Sequence, residues 1–245
     1  MAKTIFRCLS VFFLVAVVGL ANGAERVLKV GVIHHSPPMS YLDASGALTG
    51  FNVEIMRELC KEMAVRCETV ALTLDRVVDA LAAGEVDFAA VSLLVTPERR
   101  ARLLLTKPYY RSISVWFARP GVKPGEARVA VVKGGIQARY AQARGWAQLP
   151  FDNHEAIFGA LATGQAQATL LPMANAVALQ QDPRMSAQGL ASTVVQDPEL
   201  AGDAALGVNP RDRALLDKLN DAIDEIKRDG RFDRINTRFI PFRLQ

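Results

Sequence analysis

The chain has 245 residues, half of them hydrophobic and 22% charged, with 29 basic and 25 acidic side chains and a net charge of +4. That length supports one large domain or two lobes of about 100 residues each. No basic block with interleaved aromatic residues accompanies the small positive balance, which argues against a nucleic-acid-binding function.

Residues 1–24 read as a cleavable secretory signal, with Lys3 and Arg7 before an apolar run from Leu9 to Leu20 and small residues at Ala21, Gly23 and Ala24. The run is shorter than the roughly 20 residues of a membrane-spanning helix. Without this segment the chain carries 27 basic and 25 acidic residues and is nearly neutral. Two cysteines then remain, Cys60 and Cys67, and an oxidising compartment makes a disulfide between them the default. Their spacing is not that of a metal site, and His34, His35 and His154 form no ligand pattern with them, so neither metal nor cofactor is expected.

Val27 to Ile33 is predicted as a first strand, followed by a loop through Pro37-Pro38 with a short hairpin near Ala44 to Gly46. A helix is expected from Asn52, with Val53, Met56, Leu59, Cys60 and Met63 along one side. Arg66 to Leu72 is a second strand, and the segment from Thr73 is a second helix ending at Gly84, a C′ glycine. Such a β-α-β-α-β order implies a parallel sheet with right-handed crossovers.

The organising stretch runs from Asp87 to Tyr110. Phe88 to Leu94 is apolar except for Ser92 and reads as a strand covered on both faces. Thr96 is a predicted N-cap, Pro97 a first helical residue and Glu98 a first-turn acid. Arg99 therefore lies in the first helical turn just beyond the carboxyl end of a strand, where open α/β sheets bind ligands.

Ile113 to Ala118 is read as a further strand, and a second β-α series starts at Arg128 with strand VAVV and the turn Gly134-Gly135. A helix to about Arg144, a strand near Leu149 to Phe151, a helix from Asn153 to Thr163 and a strand from Ala166 to Leu171 follow. Met173 to Gln181 is predicted helical, and Ser192 to Val195 and Ala204 to Val208 extended. The segment from Asp212 to Phe239 is two helices parted at Gly230, with Leu215, Leu219, Ile223 and Ile226 as the inner stripe of the first. Two β-α series of similar size suggest two lobes with a cleft between them.

The segments LKVGV, SPPMSYLDASGALTGFNVEIMRELCKEM, DALAAGEVDFAAVSLLVTPERR, LTKPYY, VAVVKGGIQARYA, DNHEAIFGALATGQAQATLL and AIDEIKRDGRFDRINTRF together resemble the bacterial extracellular solute-binding proteins of the polar amino-acid type, receptors of ABC importers. The resemblance implies an α/β fold of the two-lobed periplasmic binding protein type II kind, each lobe a mixed, mainly parallel sheet flanked by helices. Lobe one would be discontinuous, residues 25–115 and 206–245, and lobe two 116–205, with two hinge crossings. It also implies a periplasmic monomer that captures a small-molecule ligand by closure and passes it to an ABC permease. The Cys60 and Cys67 pair falls where the histidine-binding branch carries a disulfide.

In the amino-acid receptors of this family an arginine after the T-P-E run holds the ligand α-carboxylate, a position filled here by Arg99. Other family contacts are missing. The hydroxyl five positions before the arginine is Leu94, although Ser92 keeps one nearby, and the Ser or Thr at the lobe-two helix start is replaced by Gly135 and Ile136. Backbone N–H groups of Gly134, Gly135 and Ile136 are candidates to cradle an anion instead. The acid that would accept an α-ammonium aligns with Pro172, the stacking aromatic with Ser36, and a further acid with Ile33. A cleft lined by Ile33, Leu74, Leu94 and Ile136, with one arginine and with His35 at its edge, suits a less polar organic acid better than a zwitterion.

Two other functions stay open. One is a non-transport accessory protein binding a periplasmic partner. The second is an enzyme similar to cyclohexadienyl dehydratase, disfavoured because Pro172 and Asn175 stand where that enzyme has an acidic pair. A binding protein without catalysis is the expectation.

Overall fold

The computed structural model describes residues 26–186 and 188–244, so the predicted signal segment lies outside the described residues. After β1 (Val27–Val32), a hairpin of β2 (Tyr41–Leu42) and β3 (Leu48–Thr49) leads into α1 (Phe51–Glu62) and β4 (Arg66–Ala71). Then come α2 (Leu74–Ala83), β5 (Phe88–Leu94), α3 (Pro97–Arg102), β6 (Leu104–Leu105) and β7 (Tyr110–Ser112). Local signals set these boundaries as the sequence predicts. Gly84 ends α2 in the left-handed region at φ 79°, and the Thr96 hydroxyl accepts the Arg99 N–H at 3.2 Å to cap α3.

A second group of elements comprises β8 (Ser114–Ala118), β9 (Val129–Val132), α4 (Ile136–Ala143), β10 (Gln148–Phe151) and α5 (His154–Ala162). It continues through β11 (Ala168–Pro172), α6 (Met173–Gln181), α7 (Pro183–Ser186) and β12 (Ala191–Val194). The chain then returns as β13 (Gly202–Val208), α8 (Arg213–Arg228) and α9 (Arg231–Phe239).

Besides the β2-β3 hairpin, the described residues form two larger sheets. The first has the order β4-β1-β5-β13-β6 with β7 also on β13, and the second β10-β9-β11-β8-β12. The chain changes sheet at Ile113, between β7 and β8, so the continuous strand expected from Ile113 to Ala118 begins one residue later. It changes back between Val194 and Gly202. Pairing of β1 with β4 and β5, and of β9 with β10 and β11, is parallel as the β-α order requires. The strands beside the crossings are not: β13 runs antiparallel to β5 and β8 antiparallel to β11.

Each sheet is buried on both faces. On one side of the first, Val30, Phe88, Phe51, Leu59, Leu219, Ile223 and Phe232 share a core; on the other, Val77, Leu81, Ala89 and Leu93 do. The predicted stripe on α8 is thus the face that packs inward. Cys60 and Cys67 form a disulfide that ties the end of α1 to the start of β4.

One departure in β5 matters for the cleft. Leu93 pairs with Ala205 and Ala89 with Gly207, so three residues of β5 face one of β13. The bulge carries Ser92 at φ 52°, outside regular strand geometry, and re-aims its side chain.

Candidate ligand-binding cleft

The carboxyl ends of β1 and β5 face the starts of α4, α5 and α6 across a cleft, and the two lobes enclose a cavity of about 70 Å³. Lobe one supplies Ile33, Ser36, Ser40, Asn52, Leu74, Ser92, Leu94 and Arg99 to its wall; lobe two supplies Gly135, Ile136, Gln137, His154, Pro172 and Asn175. Among the described residues no aspartate or glutamate lines it.

Arg99 is only 5% exposed. Its Nη1 donates to the Leu94 carbonyl at 2.8 Å and its Nη2 to the Gly134 carbonyl of the opposite lobe at 3.3 Å. Among the described residues it forms no ion pair. Burial without a counter-charge pulls its pKa down to about 10. A guanidinium so placed stays charged at neutral pH, and a bidentate anion would complete its surroundings.

A second polar cluster lies on the lobe-one wall. Ser92 Oγ donates to Asn52 Oδ1 at 2.7 Å, Tyr109 Oη donates to the same oxygen at 3.0 Å, and Ser92 and Tyr109 are also in contact. Tyr109 is buried and its phenol is pushed well above its usual range. These groups fix the bulged strand end beneath the cavity.

The lobes touch directly around the cavity. Ser36 Oγ lies 2.6 Å from His154 Nδ1, and Asn175 Nδ2 donates to Ser36 Oγ at 3.4 Å and to the Pro37 carbonyl at 2.8 Å. The Glu155 N–H donates to the His35 carbonyl at 3.0 Å. Glu98 and Arg139 pair across the mouth, an exposed contact worth little in water. Desolvation in the closed cleft pulls the His154 pKa down to about 4, so its ring is neutral.

The predicted site residues fare unequally. Arg99, Ser92, Leu94, Ser36, Leu74, Gly135 and Ile136 line the cavity together, and Ile33 joins them. At the glycine turn expected to cradle an anion, the Gly135 N–H donates to Val132 O at 3.1 Å and Gly134 turns its carbonyl toward Arg99. His35 is exposed and reaches the other lobe only through its backbone. Ser40, Asn52, Gln137 and His154 belong to the wall without having been singled out, since polar residues in a loop or first helical turn carry no periodic signal. Among the described residues no group of three or more His, Cys, Asp or Glu side chains is placed to hold a metal ion.

Two α/β lobes joined by two short crossings and closed on a small cleft define the class, a two-lobed solute-binding receptor. The sequence matches the bacterial extracellular solute-binding proteins, family 3, over residues 28–242, and the chain belongs to that family. It is 26% identical to the lysine/arginine/ornithine-binding periplasmic protein of Escherichia coli, covering 96% of this chain and 98% of that one. With the histidine-binding periplasmic protein of Salmonella typhimurium the identity is 24%, over 88% of each chain. Among solved structures, an arginine-specific periplasmic binding protein of Salmonella typhimurium superposes with a TM-score of 0.80 at 20% identity, over 87% of this chain and 99% of the other. An ancestral amino-acid-binding precursor of cyclohexadienyl dehydratase gives 0.76 at 22% identity, over 87% and 95%.

Proposed function

We propose that this protein is an exported, monomeric receptor that captures a small carboxylate-bearing solute between its lobes and presents it to an ABC permease. Export would follow from the signal at residues 1–24, and the relatives named above are periplasmic. The observation that carries the ligand reading is Arg99, a buried guanidinium on the cleft wall with no carboxylate partner. A ligand carboxylate that pairs with it in the closed state, and meets water in the open one, drives closure by its differential affinity. The lobes are taken to hinge at Ile113 and between Val194 and Gly202.

Catalysis is disfavoured on the same wall. A general acid needs a titratable donor near the reacting group, and among the described residues the one histidine on the wall, His154, is held by Ser36 with its pKa near 4. The test is a thermal-shift screen of amino acids and carboxylic acids on the wild type and Arg99→Ala. A ligand at a hundred times its dissociation constant adds roughly 2.7 kcal/mol to stability. Stabilisation by an acid that disappears in the variant supports the reading, and stabilisation retained in the variant overturns it.

A further inference from the structure

Arg99 takes its place from a backbone irregularity upstream of it. Between the pairs Ala89–Gly207 and Leu93–Ala205, β5 sets Ala90, Val91 and Ser92 opposite Leu206 alone, so two residues are taken up before the strand ends. The ladder then resumes, with the Val95 N–H on the Asp203 carbonyl at 2.9 Å. Alternation along an antiparallel pair turns the Leu94 carbonyl away from β13. That carbonyl accepts from Arg99 Nη1 at 2.8 Å. Without the bulge, Leu94 and the start of α3 would lie about 7 Å further along, at roughly 3.4 Å per residue.

The bulge depends on Ser92, which lies at φ 52°. The left-handed region is costly for most residues other than glycine, so a serine stays there only where its surroundings hold it. What holds it is polar and buried. Ser92 Oγ donates to Asn52 Oδ1 at 2.7 Å, Tyr109 Oη donates to the same oxygen at 3.0 Å, and the two hydroxyls touch. Asn52 and Tyr109 are 3% and 1% exposed. Each is fixed in turn: the Asn52 N–H donates to the Met39 carbonyl at 2.8 Å, and the Tyr109 ring stacks on Phe51 with centroids 6.2 Å apart.

We infer that Asn52 and Tyr109 are positioning residues for Arg99: they brace the Ser92 hydroxyl, the brace keeps Ser92 left-handed, and the resulting bulge presents the Leu94 carbonyl that orients the guanidinium. The functional meaning of this device rests on the reading of Arg99 as the ligand anchor. Ser92 then acts through the backbone, not by direct contact with the solute. Glycine adopts such a φ unaided, so Ser92→Gly makes the brace dispensable. Ser92→Ala, in contrast, keeps the conformational cost and loses the hydroxyl that offsets it.

Proton exchange at the Arg99 guanidinium, followed by proton–nitrogen NMR without ligand and assigned from the signals that vanish in Arg99→Met, tests this. Expected is exchange at least tenfold faster in Ser92→Ala and Asn52→Ala, with a smaller increase in Tyr109→Phe, where the Ser92–Asn52 bond survives. Ser92→Gly should change it less than threefold, and Asn52→Ala combined with Ser92→Gly should return it to within threefold of the wild type. A Ser92→Gly effect as large as that of Ser92→Ala overturns the inference, as does Asn52→Ala without effect. If Ser92→Ala or Asn52→Ala does not fold, Ser92→Gly is compared with and without Asn52→Ala: equal exchange upholds the inference and a tenfold difference overturns it. Solute binding by Arg99→Ala is read in the separate thermal-shift screen, so failure of the anchor reading and failure of the positioning device are distinguished.

Discussion

Ser36 and His154 meet across the cleft, with Ser36 Oγ 2.6 Å from His154 Nδ1, so a neutral imidazole helps hold one lobe on the other. Its pKa is lowered from 6.5 to about 4 by desolvation. A base whose folded pKa is depressed binds its proton less well in the closed state than when solvated. The closed state is therefore fully favoured above about pH 6.5 and loses that advantage as the pH falls from 6.5 towards 4. Glu155, the next residue on α5, is held by Arg184 and does not supply a free counter-charge. Ligand affinity should fall over this window in the wild type and much less in His154→Gln, measured by calorimetry between pH 7.5 and 4.5. An equally steep fall in the variant would remove His154 as the cause.

Arg99 should be a residue that costs stability and confers binding. A buried, unpaired cation is expensive, and an apolar side chain of similar length avoids that cost. Arg99→Met is expected to melt at or above the wild-type temperature without ligand. Charge-assisted hydrogen bonds are worth about 1.5–3 kcal/mol each, so losing two lowers affinity by at least 100-fold. Parallel thermal melts with and without ligand read both effects.

Gly134 packs its backbone directly against Asp75 of the opposite lobe. A Cβ there would come within 2.5 Å of the Asp75 Cα in the opposite lobe, and the residue has φ +74°. Gly134→Ala should leave each lobe folded, with about 1–2 kcal/mol of local strain, while holding the lobes apart. Small-angle scattering should show no compaction with ligand, and affinity should fall by more than tenfold.

The Cys60–Cys67 disulfide closes a short loop between α1 and β4, and neither cysteine is among the described residues that line the cavity. On a chain-entropy estimate its loss costs about 2.5 kcal/mol. For a chain of this size that is roughly 5–10 °C in melting temperature. Cys60→Ser with Cys67→Ser should show that shift with ligand affinity changed less than threefold at 25 °C.

Much of this fold could be read along the chain. The apolar run Phe88–Leu94, the Thr96-Pro97-Glu98 cap, the stripe on α8 and the breaks at Gly84 and Gly230 are local signals, and the elements they mark formed within a residue or two of their predicted places, whereas the short β6, β7 and α7 carry no such signal. Arg99 was legible for the same reason, because its position follows from a strand end and a helix cap. The pattern could not show that Ser40 is buried without a partner, or that the β5 bulge turns Ser92 toward Asn52 and Tyr109. Nor could it bring His154 to Ser36, 118 positions earlier in the chain. Those relationships depend on how two sheets, exchanged at Ile113 and again before Gly202, close on one another. The sequence alone thus determined the two β-α series and the place of Arg99 at a strand end. Only the tertiary structure decided that Arg99 is buried, which groups share its cavity and how small that cavity is, because all three depend on contacts between lobes rather than within a segment.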